Sequence, residues 1–326
     1  MADAIVMRAP GGPEVLRLEA VEVGAPGPGQ VRIEQTAIGV NFHDCYVRSG
    51  LYQTLALPGV PGLEAAGVVT DIGAGVAGFA PGDRVAYFTS GYGGYASART
   101  IDANLLVKVP DGVDDRTAAA VLLKGLTVRM LIADVHEIGP GMTILVHAAA
   151  GGVGLLLCQW AASLGARVIG TAGSAEKAAL AKAAGCDAVV LYREEDFVAR
   201  VKALTDGRGV DVAYDSVGRD TFMGSLDCLA ERGHLVNFGQ ASGPVPPFEI
   251  ARLSQGSYSI TRPMLFHYAK GPERLGEMSA ALFRALGDGT LAPPPPMVLP
   301  LREAGAAHRM LEARETTGAV LLDPAG

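Results

Sequence analysis

Cysteine is scarce in this chain. Its 326 residues hold four thiols, Cys45, Cys158, Cys186 and Cys228, which lie far apart in sequence and form no CxxC pair. That usage argues against a disulfide framework and predicts reduced thiols. Cys158 and Cys228 fall within helical stretches, where a thiol serves as a small core residue. Basic charge is also in deficit, with 27 Lys and Arg against 34 Asp and Glu and a net charge of -7. A surface built for nucleic acid or for an anionic membrane is therefore not expected, and small molecules come first as partners. The opening Met-Ala-Asp-Ala-Ile-Val-Met-Arg lacks the basic start, apolar core and cleavage site of a secretory signal, so a cytoplasmic location is expected. No run is long and apolar enough to cross a bilayer, and no internal repeat of solenoid length is visible. GxSxG, GKS or GKT, HExxH and a Ser-His-Asp constellation are all missing, which removes the common hydrolase and phosphate-loop chemistries.

What is present is a chain longer than one hydrophobic core usually supports, so two domains are expected. From about residue 143, β-branched runs alternate with helical stretches: TILVHA, RVIGTA, AVVLY, VDVAYDS, LVNFG and SYSITR are the strands. Between them, GVGLLLCQWAASLG, SAEKAALAKAAG, EEDFVARVKALTDG and RDTFMGSLDCLAERG carry apolar residues at helical spacing, most closed by a glycine. Six such strands predict a doubly wound parallel sheet of the dinucleotide-binding kind. Residues 1 to about 124 are rich in Gly and Pro turn signals with short runs such as QVRIEQTAIGV and GDRVAYF, which predicts a β-rich, barrel-like domain. After about residue 264 come a helix-like stretch, the Pro293 to Pro296 connector and a closing GAVLLD that is expected to return to the first domain.

The strongest local signal is HAAAGGVGLLLCQW at 147–160, a strand entering a Gly-rich turn and then a helix. Gly151 allows close approach of a pyrophosphate, Gly154 lets the helix pack tightly, and the helix N-terminus offers N–H groups to the anion. Ala149 occupies the first glycine position of GxGxxG, so the turn is expected to differ from the usual one. After the second strand, Gly173 and Ser174 stand where an NAD site carries an acid, and Lys177 follows one helical turn later. Small residues and a cation suit a 2′-phosphate, with Tyr192 flanking it, so NADPH is the expected cofactor.

These residues, with NFHDCYVRSGLY at 41–52, GLEAAGVVTDIG at 62–73, LLKGLTV at 122–128 and YDSVGRDT at 214–221, resemble the zinc-free, zeta-crystallin-like quinone oxidoreductase family of the medium-chain dehydrogenase/reductase superfamily. The likeness covers nearly the entire chain. It implies an α/β protein with a GroES-like β-rich catalytic domain at 1–124 and 265–326 and a Rossmann NADPH-binding domain at 125–264. In zinc-dependent relatives a Cys and a His hold metal where this chain has Asn41 and Leu63, so no catalytic zinc is expected, and Asp44 and Glu64 remain as structural relics. Tyr87 to Ser97 lacks the cysteines of the structural zinc lobe, and His43 is read as a hydrogen-bonded structural residue.

The resemblance further implies that Asn41, Tyr46, Lys124, Thr127, Gly152, Val153, Gly173, Lys177, Tyr192, Ser216, Phe238 and Arg262 face NADPH. Val217 and Phe238 sit at strand ends, where ligands bind in such sheets. Reduction needs only a nicotinamide placed against an electron-poor carbon, with Tyr46 and Tyr52 as family-compatible residues to orient or protonate the product. Whether these tyrosines do more than line the cleft stays open. The last strand predicts a homodimer through the Rossmann-domain edge. Enone or enoyl reduction, and a non-catalytic NADPH-binding structural or RNA-associated role, are the alternatives to quinone reduction.

Overall fold

Period-two patterning builds the first half of the chain. In the computed structural model, which describes Met1–Gly326, Gln30–Val40 forms a long strand whose early side chains alternate between interior and solvent. The chain runs β1 (Ala2–Val6), β2 (Arg17–Val21), β3 (Gln30–Val40), α1 (Phe42–Ser49), β4 (Glu64–Ile72), β5 (Arg84–Phe88), β6 (Ala98–Asp102), β7 (Leu106–Lys108) and α2 (Asp115–Arg129). It continues through β8 (Thr143–Val146), α3 (Gly152–Ser163), β9 (Arg167–Ala172), α4 (Ala175–Ala183), β10 (Ala188–Leu191), α5 (Phe197–Leu204), β11 (Val210–Asp215), α6 (Phe222–Asp227), β12 (Leu229–Asn237) and β13 (Ser259–Thr261). The last elements are α7 (Leu265–Tyr268), α8 (Pro272–Gly287), β14 (Met297–Pro300), α9 (Ala304–Glu312) and β15 (Val320–Asp323).

Two compact units result. The first comprises Met1–Leu126, Ala269–Gly287 and Pro293–Gly326, and the second Thr127–Tyr268 with Asp288–Ala292. In the first, a mixed sheet has the order β14-β15-β3-β4-β5-β7, with β6 also on β3. The closing apolar run returns as expected: Val320 pairs antiparallel with Val40. Ile33, Ile38, Val69, Val85, Tyr87 and Leu322 fill the interior at full or nearly full burial, each aliphatic side chain contributing about 1.5–3 kcal/mol.

The second unit has one six-stranded sheet, β10-β9-β8-β11-β12-β13, parallel throughout. This is the doubly wound order, with the reversal at β8 and helical crossovers between successive strands, so the Gly-rich turn sits at the switch point where such sheets bind ligands. Glycines at positive φ (Gly165, Gly185 and Gly207) follow α3, α4 and α5 and close them as the sequence indicates. The stretch RDTFMGSLDCLAERG departs from expectation. Only Phe222–Asp227 is helical, because Leu229 already pairs with Val210 and an irregularity in the register carries the strand on to His234 opposite Val212. Cys228 caps that short helix rather than lying within it, though it is fully buried. No helix is long and apolar enough to cross a membrane.

Candidate functional site

In the second unit the phosphate turn is locked from beneath. His147, just past β8, is buried and bridges Thr171 Oγ1 at 3.1 Å and Ser225 Oγ at 2.9 Å. Burial lowers its pKa, which keeps the imidazole neutral. Ala148 adopts a φ of 52°, and the N–H of Ala149 donates to Thr171 O at 3.0 Å, so the turn is fastened to β9. A side chain at Gly154 would bring its Cβ within 2.3 Å of Ala148 O, so only glycine lets α3 start this close to the turn. Gly151 stands at the N-cap of α3 with no side-chain cap, followed by partly exposed Gly152 and Val153. An uncapped helix start with small residues around it is an anion site in waiting.

The second strand ends in small groups. Gly173 lies beneath Tyr192: a Cβ there would stand 2.7 Å from the Tyr192 hydroxyl and 3.5 Å from Arg193 Nε. Ser174 caps α4 by accepting from Lys177 N at 3.3 Å, and Lys177 is half-buried in the first turn of that helix. Gly173, Ser174, Lys177 and Tyr192 are thus gathered at the carboxyl ends of β9 and β10. Arg193 joins them as a cation that sequence reading missed, although its place directly after Tyr192 was a usable signal.

The remaining expected residues of this unit lie past the ends of the other parallel strands. Ser216 and Val217 follow β11, where the fully buried Asp215 organises the turn by accepting from Val217 N at 2.8 Å, Gly218 N at 3.0 Å and Thr221 Oγ1 at 2.8 Å. Phe238 follows β12 and donates its N–H to Asp215 O at 2.9 Å. Arg262 follows β13, and its guanidinium donates to Gly239 O at 2.7 Å and to the Asn237 side chain. Arg262 therefore ties two strand ends together in this structure.

In the first unit the hub is Glu64, fully buried at the start of β4. It faces Gly39 in the β3–β4 register, and a Cβ at Gly39 would come within 2.2 Å of the Glu64 carboxylate. Glycine there makes the room. The carboxylate accepts from Asn41 Nδ2 at 3.1 Å, Leu123 N at 2.8 Å and Lys124 Nζ at 2.7 Å. Asn41 and Lys124, both implied by the family resemblance, are thus brought together by one carboxylate, and Thr127 follows Lys124 along α2. Asp44 forms a second buried centre, accepting from Asn41 N at 2.9 Å and from the Tyr95 hydroxyl at 3.0 Å. Tyr95 also meets His308 Nε2 at 2.9 Å, which makes that nitrogen the donor and leaves buried His308 Nδ1 unpartnered. Burial raises the Asp44 carboxyl to about 7 and pushes His308 down to about 3. Asp44 and Glu64 are accordingly active organisers of the site, with more to do than the relics expected from sequence.

An aromatic group stands on α1 and the loop after it. Tyr46 and Tyr52 meet edge to face with centroids 5.2 Å apart, and His43 packs on Tyr52 at the same separation. His43 Nε2 hydrogen-bonds Tyr92 OH at 3.2 Å, and burial pushes its pKa down to about 4. Tyr92, which also bonds Thr54, had no sequence signal because its loop has no periodicity. The position read as a lost metal Cys holds the Asn41 amide engaged with Glu64, and that read as a lost metal His holds Leu63, buried in the core. No three His, Cys, Asp or Glu side chains converge to hold a metal ion.

Comparison with known proteins adds five matches. Residues 27–111 match the family described as the alcohol dehydrogenase GroES-like domain, and residues 152–282 match the family described as zinc-binding dehydrogenase. Over 99% of its length the chain is 48% identical to a quinone oxidoreductase of Pseudomonas aeruginosa, covering 100% of that protein. It is 43% identical to a 2-haloacrylate reductase of a Burkholderia species, covering 99% of each. The crystal structure of Escherichia coli quinone oxidoreductase complexed with NADPH superimposes with a TM-score of 0.96 at 45% identity, over 99% of this chain and 100% of that one.

Proposed function

The chain belongs to the zinc-independent, zeta-crystallin-like quinone oxidoreductase family of the medium-chain dehydrogenase/reductase superfamily, and from that membership and the two sites described we propose that it reduces quinones with NADPH. The observation that carries the cofactor choice is the end of β9, where Gly173 and Ser174 replace an acid beside Lys177 and Arg193. A 2′-phosphate is attracted there and would be repelled by the carboxylate of an NAD site.

NADPH, when bound, supplies the hydride, and the chain's residues bind, orient and exclude water. The α3 N-terminus, with Gly151, Gly152, Val153 and Gly154, takes the pyrophosphate. Lys177, Ser174, Tyr192 and Arg193 take the adenosine phosphate. Ser216, Val217, Phe238 and Arg262 line the strand ends, while Asn41, Lys124, Thr127 and Tyr46 meet the ribose and nicotinamide end. Glu64 holds Asn41 and Lys124 in place for this task. Tyr46 and Tyr52 orient the acceptor, and their hydroxyls can donate a proton to the developing product oxygen. No step uses a metal, since an amide and a leucine fill the two positions of its former ligands. The enzyme acts as a cytoplasmic homodimer joined through the exposed edge of β13, a strand at the end of its sheet order.

A second reading is favoured by the relative named a 2-haloacrylate reductase: hydride delivery to a carbon–carbon double bond conjugated with a carbonyl or carboxyl. The two are separated by offering para-quinones, ortho-quinones, enones and 2-haloacrylates in parallel and identifying the products. Quinone turnover in excess over the alkenes supports the first reading; alkene-only turnover replaces it with the second. Light scattering tests the dimer, which a monomer at micromolar concentration contradicts.

A further inference from the structure

We propose that Cys158 and Cys186 are a modification site, a dithiol that closes to a reversible intramolecular disulfide when a hydroperoxide oxidises it. The two residues are 28 apart in sequence, yet their sulfurs stand 3.3 Å from one another, each buried. A disulfide needs about 2.0 Å, so roughly 1 Å of side-chain rotation closes the gap. Cys45 and Cys228 are also buried free thiols, and neither faces a second sulfur.

Two glycines build this meeting. Cys186 lies in the turn between α4 and β10, directly after Gly185, whose φ of 101° suits glycine. A Cβ at Gly185 would stand 2.8 Å from Ala162 Cβ and 3.4 Å from Cys158 O, so the turn presses directly against α3 at Cys158. On the other side, a Cβ at Gly170 of β9 would stand 2.9 Å from Cys186 Sγ, so glycine there leaves the pocket in which that sulfur sits. The contact thus follows from backbone geometry on both sides of the pair.

The order of events follows exposure. Cys186 retains 7% of its surface while Cys158 retains 0%. The Cys186 sulfur, as thiolate, attacks one peroxide oxygen; the O–O bond breaks, a sulfenic acid forms, and the leaving oxygen takes the thiol's proton and departs as water or alcohol. The Cys158 sulfur then attacks the sulfenic sulfur. The S–S bond forms, the S–O bond breaks, and hydroxide leaves with the Cys158 proton as water. Two thiols give up two electrons and two protons, and the peroxide receives both. Cys158 is suited to the second step by position, its sulfur 3.3 Å from Cys186 Sγ; its Cys186 neighbour and burial hold its thiol well above the usual range, so it attacks as it hands its proton to the departing hydroxide. The bond would join α3, which starts at the phosphate turn, to the segment leading into β10 and Tyr192.

The test is a non-reducing digest of the full chain after hydrogen peroxide treatment, with mass spectrometry and alkylation of remaining thiols under denaturing conditions. The expected product is one linked peptide pair containing Cys158 and Cys186, lighter than the two thiol peptides by two hydrogen atoms. Dithiothreitol should restore both thiols, and Cys45 and Cys228 should stay alkylatable. Cys158→Ala should abolish the link and let Cys186 collect as sulfenic or sulfinic acid. Four alkylatable thiols after treatment, a sulfinic acid on Cys186 in the unaltered chain, or a link between separate chains each overturns the proposal. The digest reads no turnover, so its result is independent of which acceptor the enzyme reduces.

Discussion

Removing the charge of Glu64 while keeping its shape is the sharpest perturbation available in the first unit. Its carboxylate is fully buried and receives three donors, one of them the Lys124 ammonium, itself only 6% exposed. In Glu64→Gln one acceptor oxygen becomes an NH2 group, which must face the Lys124 ammonium, the Asn41 amide or the Leu123 N–H, all of them donors. Breaking a buried ion pair by removing one partner costs about 3–5 kcal/mol, because the other charge is left uncompensated. At about 2–4 °C per kcal/mol for a domain of this size, the melting temperature should fall by roughly 6–20 °C. Lys124→Met alone should also destabilise, since it strands the carboxylate. The double variant removes both charges and should cost less than the two singles together, with a coupling of about 2–3 kcal/mol in urea unfolding. Hydrogen exchange should place the loss at β4 and α2, which matters because a chain of two units need not unfold in one step. Strict additivity of the two singles, or a Glu64→Gln chain as stable as the parent, would refute the view of Glu64 as the organiser of Asn41 and Lys124.

Ser174→Asp keeps a capping oxygen on α4 but places an anion where the 2′-phosphate is proposed to sit. At separations near 5 Å this is worth about 1–3 kcal/mol, so NADPH should bind roughly tenfold to a hundredfold more weakly with NADH nearly unchanged, as fluorescence titration can show. Gly154→Ala drives a Cβ to 2.3 Å from Ala148 O, a backbone atom that cannot swing away. About 1–3 kcal/mol of stability should be lost, and NADPH affinity with it, in denaturant and titration curves. Asp44 makes stability depend on pH. Its folded carboxyl is raised to about 7 by burial, above an unfolded value near 3.9, so the native state binds the extra proton between these limits. That contribution is complete below about pH 4, declines as pH rises and is gone above about pH 7, for up to about 4 kcal/mol. Urea unfolding of the parent and Asp44→Asn chains near pH 5 and pH 8 should show the gap between them shifting in favour of the variant at the higher pH; parallel behaviour would contradict the burial argument.

Much of the second unit was legible in sequence because its signals are local. A β-branched run, a glycine turn and a helical period each need only a few neighbours, and together they located all six strands, while several residues at the strand ends came only from the family resemblance. The stretch after Thr221 was misread as a longer helix because the pairing of Leu229 with Val210 is a long-range event that overrides local period. The first unit was legible as β-rich, with QVRIEQTAIGV, GDRVAYF and GAVLLD falling on β3, β5 and β15, but its other strands and its polar core were not. Nothing in GLEAAG says that Glu64 will collect an amide, a backbone N–H and an ammonium from two other elements. Likewise Tyr92, Tyr95 and His308 reach their partners across 38 to 213 residues, with no spacing rule to announce them. The meeting of Cys158 with Cys186 belongs to the same class.

Quinone reduction by NADPH without metal is the activity proposed for this chain. Its most direct test follows NADPH oxidation at 340 nm on chelator-treated protein with a para-quinone as acceptor and NADH as the control cofactor. Turnover should survive chelation and strongly prefer NADPH. Loss of activity on chelation, equal use of NADH, or no oxidation with any quinone would contradict it.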